Sequence, residues 1–308
     1  MKNGILISGV VCLLLLSCTK AKTDYEAERN AEVPVYYDFK EAALLHTDNY
    51  VVHIEALNGK FYKGYNPIRV RITDTSNDQT GQISSIAFFP FKENSDGSRI
   101  SCPHQYHLQY HSDSNYFSGY VVFVDEDRPN ESSQLYVSFT TDNKSHYASG
   151  KVKVLEQPNK NLGMTAFVGN DDIKYLIALV SPYKPKVGEN DLVAGIYQCK
   201  TIDSSSVDNF PFPVQYYYTE VMGYKLLLDP RMPEPSMGNH SSPNNEDLIQ
   251  LDDGLYHGVV NYTMTGNWTL NFILLNPSGN VVKGMEVSKD FTPGVEGAKS
   301  ELHIDILF

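Results

Sequence analysis

Helical periodicity, long apolar runs and basic charge are all scarce in this sequence of 308 residues. No segment after Leu16 approaches the ~18 apolar residues that a membrane-spanning helix needs. Lysine and arginine total 25 against 37 aspartates and glutamates, which gives a formal charge of −12 and a pI near 5.2. Because no continuous basic surface is available to neutralise phosphates, nucleic acid is excluded as an expected partner.

Cysteine is also rare, with four residues in the whole chain. Cys12 and Cys18 lie near the N-terminus, which leaves Cys102 and Cys199 for the folded part. These two fall in different predicted domains, so a disulfide between them and two separate thiols both stay open. Cys199 ends an apolar run and is interpreted as a small buried residue.

The N-terminus has the pattern of an export signal. A short positive start precedes an apolar core of roughly 12 residues. Cleavage before Cys18 resembles the processing of bacterial lipoproteins, which implies a signal peptide over 1–17, a lipid on Cys18 that reaches the membrane, and a polar tether over 18–34. An ordinary signal with a chance cysteine is the alternative. Because Thr19 stands where an inner-membrane signal has aspartate, we expect an outer-membrane lipoprotein of the bacterial cell envelope, facing the periplasm or the outside.

Strand-forming residues dominate the rest, with 21 tyrosines and 14 phenylalanines in the chain. Short alternating apolar runs separated by turn residues recur throughout, and only 41–45 is expected to add a helical turn. The predicted fold is all-β, with two tandem immunoglobulin-like β-sandwich domains after the signal and tether. The first sandwich is predicted over 35–155, a linker over 156–173 and the second sandwich over 174–308.

The two halves share four sequence landmarks in the same order, which predicts an internal duplication. Glycine turns the chain in the first landmark, and the asparagine two residues later can bond to nearby backbone. The landmarks are the Gly-x-Asn strand entries at Gly64 and Gly188, the apolar runs that reach Pro90 and Pro230, the strands around Gly119 and Gly258, and the strands at 133–137 and 267–271.

Soft donor atoms are concentrated in the stretch 229–244. Met232, Met237 and His240 lie within nine residues of one another, and four prolines argue against a helix or a central strand. We therefore predict a loop between two strands. Thioether sulfur and imidazole nitrogen suit a soft or borderline transition ion, Cu(I) above all. The alternative is that the methionines pack against the sandwich end and that His240 is a solvated loop residue.

The second half resembles the YtkA-like and FixH-like domains over about 174–275. The shared motifs are the Gly-x-Asn strand entry, the Met-Pro stretch that runs to Met-Gly-Asn-His, the Gly-x-Tyr-x-Gly type strand around Gly258, and a Met-x-Gly-x-Trp-x-Leu strand. Those domains are exported immunoglobulin-like sandwiches associated with copper handling and haem-copper oxidase assembly. The resemblance implies that Met232, Met237 and His240 form a metal loop.

Two positions in the second half bear on that implied loop. Asn239 separates Gly238 from His240, where the family more often has Met-Gly-His directly. Met264, on the later strand, is a further candidate donor, with a packing role in the core as the alternative. Trp268, which is the only tryptophan, is assigned to the core.

The first half is a divergent repeat with different candidate donors. Cys102 and His104, followed by His107 and His111, offer a thiol and imidazoles that suit Cu(I) or Zn(II). On a regular strand, His107 and His111 would lie about 13 Å apart, too far to share one ion. A structural repeat without metal is the alternative.

The predicted function is a lipid-anchored extracytoplasmic copper-binding protein that holds Cu(I) or exchanges it with a copper donor or acceptor protein. The alternative is a non-catalytic adhesion or protein- or glycan-binding module of the envelope, with Tyr106, Tyr110 and the run Tyr216, Tyr217 and Tyr218 as contact residues. No nucleophile elbow, Walker loop or HExxH occurs in the sequence, so no enzyme is predicted.

Overall fold

The computed structural model describes residues 38–47, 49–76, 83–157, 163–201 and 214–308. The predicted signal and tether, including Cys18, lie outside the described residues. The described part contains β-strands and no α-helix, and so no helix that could cross a membrane. The all-β prediction is confirmed.

The strands run in chain order from β1 to β22, with these bounds. They are β1 Phe39–His46, β2 Tyr50–Leu57, β3 Phe61–Tyr62, β4 Gly64–Asp74, β5 Ile83–Glu93, β6 Arg99–Ser101, β7 Gln109–His111, β8 Tyr116–Phe123, β9 Ser132–Thr141, β10 Lys144–Val152, β11 Val154–Leu155, β12 Met164–Val168, β13 Lys174–Ser181, β14 Gly188–Thr201, β15 Tyr216–Glu220, β16 Lys225–Met232, β17 His240–Ser241, β18 Glu246–Gln250, β19 Tyr256–Tyr262, β20 Asn267–Leu275, β21 Val281–Gly284 and β22 His303–Leu307.

The first sandwich encloses a core between two sheets. One sheet has the strand order β1-β2-β4-β8-β7, and the other has the order β10-β9-β5-β6. Alternate residues of these strands point inward, and Ile54, Val70, Phe88 and Val137 are completely buried there. An immunoglobulin fold has two sheets with the strand orders ABED and GFC, where the letters follow the chain. The ABED sheet corresponds to β2-β4-β8-β7, and the GFC sheet corresponds to β10-β9-β5.

The second sandwich repeats this strand order around its own core. Strands β13-β14-β19-β18 follow the ABED order, and β20 lies between β16 on one side and β21 and β22 on the other. Strand β18 pairs with both β19 and β16, so it joins the two sheets. Trp268, Leu226 and Phe272 are fully buried in this core. The strand order confirms the prediction of tandem immunoglobulin-like sandwiches.

Three local expectations differ from the structure. The stretch 41–45 lies in β1, paired with β2, so the predicted helical turn is wrong because sheet pairing satisfies its backbone groups. Within the predicted linker, β12 forms and pairs with β13. Strand β16 continues through Pro230 to Met232, and β17 begins at His240, so the loop predicted over 229–244 is confined to 233–239 at this point. Pro230 has no N–H, but its carbonyl accepts the Ser242 N–H at 3.3 Å.

The Gly-x-Asn landmark closes the same turn in both sandwiches. Asn66 Nδ2 donates to the carbonyls of Tyr62 and Gly64, and its Oδ1 accepts the Tyr62 N–H. Asn190 makes the equivalent three bonds, to Lys186 and Gly188. Both glycines have positive φ, 101° and 109°, which favours glycine over any side chain.

The other landmarks are also structurally equivalent, with one correction. Pro90 and Pro230 each accept a backbone N–H from the next strand, and they pair with Leu135 and Leu270 respectively. Because Pro90 and Pro230 are equivalent, their partners Leu135 and Leu270 are equivalent too. The sequence comparison of the fourth landmark aligned 135 with 269 instead, so it was wrong by one residue. A one-residue shift reverses which side chains face the core, and only the ladder fixes it.

The two sandwiches contact each other through tyrosine-rich surfaces. Tyr65 stacks on Tyr120 at 5.1 Å between ring centroids, and the Tyr120 hydroxyl donates to Glu220 at 2.9 Å. Buried Val122 of the first sandwich packs with Leu176 of the second in the same cluster. A backbone bond from Gln215 to Arg99 and a parallel bridge between β6 and β15 join the sheets.

Candidate metal site

Met232 and His240 are direct neighbours across the β16–β17 hairpin. The two residues are partners in its antiparallel ladder, and seven residues separate them in sequence. Side chains of directly opposed residues project from the same face of a sheet, with Cβ atoms about 4.5–5.5 Å apart. The fold therefore brings one thioether and the imidazole to one face of the hairpin, a proximity that the sequence spacing alone did not require.

The imidazole of His240 is held by two neighbours. Its Nε2 lies 2.8 Å from the Thr263 hydroxyl, and its ring meets the Trp268 ring edge-on at 6.1 Å. Nδ1 has no hydrogen-bond partner in the part of the chain that the structure describes. One nitrogen is thus anchored and the other is available, which is the arrangement of a histidine that binds a metal through one nitrogen and a second group through the other.

The turn between β19 and β20 brings Met264 to the same end of the sandwich. The Met264 carbonyl accepts the Trp268 indole N–H at 2.9 Å. A Cβ on Gly266 would lie 2.6 Å from Met232 Cε, so Met232 packs directly against this turn. Met232 is only 1% exposed, whereas Met237 and Met264 are half-buried on the edge of the same cluster.

Backbone geometry explains why glycine and asparagine precede His240. Gly238 and Asn239 both have positive φ, 65° and 53°, a conformation that glycine and asparagine tolerate best. The Asn239 side chain is buried and donates from Nδ2 to the carbonyls of Ser288 and Asp290. Asn239 therefore fixes the loop to the 285–300 segment, and the next residue, His240, begins β17.

A buried carboxyl group lies near the base of the loop. Burial raises the pKa of Glu234, while Asn267 and the Lys299 ammonium act in the opposite direction. The residue is 5% exposed. The Glu234 carbonyl accepts the Met237 N–H at 2.9 Å in a turn that precedes the histidine.

The alternate residues of the hairpin point to the opposite face. Arg231 and Ser241 line an open cavity of about 420 Å³ together with Lys289. Arg231 is 4% exposed and donates from Nε to Asp229 at 2.9 Å. This charged cavity is distinct from the sulfur- and imidazole-bearing face.

The first sandwich separates its candidate donors. Burial raises the pKa of the Cys102 thiol to about 12, and Cys102 packs in the core rather than on the surface. His104 donates from Nδ1 to the Cys102 carbonyl at 2.7 Å. His107 forms a bridge with Ala87, and His111 lies on β7 of the other sheet with its Nε2 against Ser118. This geometry does not support a shared thiolate and imidazole site.

Cys102 and Cys199 are both free, so the disulfide alternative is wrong. The described residues contain no cluster of three or more His, Cys, Asp or Glu side chains able to hold a metal ion. Thioethers are not among those side chains. The sequence reasoning missed Thr263, the anchor of His240, because only the turn geometry brings it across from β17.

Comparisons with known proteins add little to these observations. No family model and no curated protein matches the chain. Among solved structures, a chimeric titin Z1Z2-Z1Z2 tandem functionalized with a GRGDS peptide from fibronectin matches at 13% identity, over 80% of this chain and 96% of that one, with a TM-score of 0.18. This likeness is too slight to bear on the fold or the function.

Proposed function

We propose that this protein is a non-enzymatic Cu(I)-binding protein of the bacterial envelope, anchored through a lipid on Cys18. The ion is held at the hairpin end of the second sandwich. The observation that carries the proposal is the ladder pair of Met232 and His240, which joins a thioether and an imidazole on one face. Soft donors of these two kinds select Cu(I) over calcium or magnesium, which require oxygen ligands.

His240 is half-buried, and it binds through Nδ1 while Thr263 orients the ring through Nε2. Met237 and Met264 supply further thioethers from half-buried positions. Met232 is the innermost donor. Neutral thioether and imidazole ligands leave the charge of the ion uncompensated. A shell of three such ligands also stays open to a partner's ligand, which suits a protein that hands copper on rather than one that stores it.

The test is an anaerobic Cu(I) titration of the purified chain against a chromophoric chelator. We expect one tightly bound equivalent in the wild type and its loss in His240→Ala, because the imidazole is the strongest neutral donor of the set. His257→Ala is the matched control, since His257 is also half-buried on the second sandwich but pairs with Asp253 at 2.9 Å.

One further variant sharpens the assignment. Met264→Leu keeps side-chain volume and removes only the sulfur, so a weaker Kd with unchanged thermal stability would identify Met264 as a ligand. Equal copper affinity in wild type and His240→Ala would refute the proposal. Equal loss in His257→Ala would show that the effect is not specific to the hairpin.

A further inference from the structure

The cavity of about 420 Å³ on the second sandwich lies on the face of the β16–β17 hairpin opposite to the soft donors. Outward residues of β16 and β20 form its floor, and the segment that follows β21 lines the rest. Its volume is that of an ordinary small-molecule site. None of the candidate copper ligands lines it, so it is a separate feature of the molecule.

Three successive rows of paired residues cross the floor and differ in chemistry. The rows are the pairs Leu227 and Ile273, Asp229 and Asn271, and Arg231 and Thr269. Alternate residues of a strand project from one face, and they lie roughly 7 Å apart along it. Along β16, the floor therefore changes from apolar at Leu227 to anionic at Asp229 and to cationic at Arg231.

Arg231 places a fixed positive charge in the cavity. Its side chain is only 4% exposed, and its Nε donates to Asp229 at 2.9 Å. A guanidinium group carries five N–H donors. The other four, on Nη1 and Nη2, have no hydrogen-bond partner among the residues that the structure describes. Buried donors without an acceptor are costly, and a carboxylate that accepts from both Nη groups would satisfy them in a bidentate pair.

The neutral polar side chains beside Arg231 are already engaged. Asn271 donates from Nδ2 to the Asp229 carbonyl at 3.0 Å, and its Oδ1 accepts the Ser300 N–H at 2.8 Å. The Thr269 hydroxyl donates to Asp305 at 2.6 Å. These groups leave the Nη donors of Arg231 to an acceptor that enters the cavity.

The other charges of the cavity favour a ligand that carries both signs. Two carboxylates, Asp229 and Glu286, line it together with two cations, Arg231 and Lys289. Asp229 accepts from Arg231 through Oδ2, and its side chain is 42% exposed, so Oδ1 stays available to a donor. A dianion such as phosphate would be repelled by these carboxylates. An ammonium group on the ligand would instead form charge-assisted hydrogen bonds with them.

We propose that this cavity binds a small zwitterion of the amino acid or short-peptide class with an apolar side chain. The ligand carboxylate bonds to the Nη groups of Arg231, its ammonium bonds to Asp229, and its side chain packs on Leu227 and Ile273. Val287, which also lines the cavity, adds apolar surface. The three parts of such a ligand complement the three rows of the floor.

Calorimetric titration of the purified chain tests this proposal in the wild type. The probes are leucine and leucyl-leucine, each compared with its C-terminal amide and its N-acetyl derivative. We expect at least one of the two parent compounds to bind. The Kd should be at least about tenfold weaker for each derivative, because one lacks the charge that meets Arg231 and the other lacks the charge that meets Asp229.

Arg231→Gln is expected to weaken the Kd of the parent compound by about tenfold or more, because the guanidinium fork is lost. Arg99→Gln is the matched control, since Arg99 also donates from Nε to a carboxylate, that of Glu93, at 2.9 Å, but in the first sandwich. Thermal unfolding verifies the fold of both variants. His240→Ala is expected to bind like the wild type, which separates this site from the copper site.

Four outcomes would overturn the proposal. They are the absence of binding by both leucine and leucyl-leucine, equal affinity for a parent compound and its amide, tighter binding of inorganic phosphate than of either parent, and an equal loss in Arg99→Gln. Because Arg231 is buried, its substitution also tests the fold. The comparison of parent and amide uses only the wild-type chain and does not depend on the stability of that variant.

Discussion

The hairpins β5–β6 and β16–β17 occupy equivalent places in the two sandwiches, yet they carry side chains of different chemical type. Lys92 pairs with Ile100 in the first, as Met232 pairs with His240 in the second, and seven residues separate the partners in each pair. Where the second sandwich presents a thioether and an imidazole, the first buries an ammonium group. The two hairpins share one backbone arrangement and differ in the side chains at its end.

Lys92 is surrounded by acidic groups from the loop after β8. Its Nζ lies 2.8 Å from Glu131 and 3.9 Å from Asp125, and it donates to the Glu126 carbonyl at 2.8 Å. The side chain is only 4% exposed. In the first sandwich, the ammonium group of Lys92 therefore occupies the position at which an exchangeable copper ion is proposed in the second sandwich.

The neighbouring ladder position differs in the same way. Alignment of 135 with 270 makes Ser133 the equivalent of Trp268, and both residues are fully buried. Ser133 donates to Asp127 at 2.8 Å, whereas Trp268 packs against His240 and Tyr262. This end of the first sandwich is therefore a polar network, and the same end of the second sandwich is an apolar pocket with soft donors. The shared backbone determines where these side chains lie but not which chemical groups they carry.

The largest expected effect comes from giving the first hairpin the side chain of the second. Lys92→Met removes the ammonium and leaves the carboxylates of Glu131 and Asp125 without their buried partner. We expect the free energy of unfolding to fall by about 3–5 kcal/mol, as for other broken buried pairs. Urea denaturation at pH 7 measures this value. A loss below about 1 kcal/mol would contradict a structural role for the ammonium.

The same variant is expected to change the pH dependence of stability. Burial raises the pKa of Asp125, but Glu126 and the charges of Lys92, Lys63 and Arg128 outweigh it and hold the pKa below 3.8. The folded state thus binds this proton more weakly than the unfolded state, so its contribution is present above pH 4 and is lost as pH falls through the folded-state value. A shallower acid limb in Lys92→Met would verify the coupling, and an unchanged limb would contradict it.

A smaller effect is expected at His104, whose equivalent in the second sandwich is Asn244. Burial lowers the pKa of His104 to about 4 from 6.5, opposed by the bond to the Cys102 carbonyl. Because the unfolded state takes up this proton first, stability is full above pH 6.5 and declines as pH falls toward 4. The loss should be about 1–3 kcal/mol.

His104→Asn places the residue of the second sandwich in the first and should remove this decline. Unfolding free energies at pH 7 and pH 4.5 for both proteins provide the measurement. An identical slope in the variant would mean that another group titrates over this range. NMR titration of the imidazole gives an independent reading of its pKa.

The smallest difference is expected where the two sandwiches are alike. Asn66→Ala and Asn190→Ala each remove three hydrogen bonds and leave buried backbone groups unpaired, which costs about 1–3 kcal/mol. Because the bonds are equivalent, the two losses should agree within about 0.5 kcal/mol. A large disagreement in denaturation experiments would show that the turn is supported differently in the two sandwiches.

Much of the fold was predictable because it rests on local patterns. Alternating apolar residues identified most long strands, and paired landmarks such as Gly64 and Gly188 identified the duplication. The helical turn predicted at 41–45 was wrong because so short an apolar stretch has no decisive period. Pairing of β1 with β2 decided its conformation instead. The residue types of Met232 and His240 identified them as candidate donors, but the sequence did not predict that they are paired in a ladder.

The sequence by itself determined the all-β fold class, the two sandwiches and the position of the soft donors along the chain. These properties depend on side-chain period and turn chemistry, which act over a few residues. Only the tertiary structure decided which donors meet, that Cys102 is buried and that Lys92 takes the place of a donor. Such relations depend on strand register and sheet packing, where one residue of shift moves every side chain to the other face.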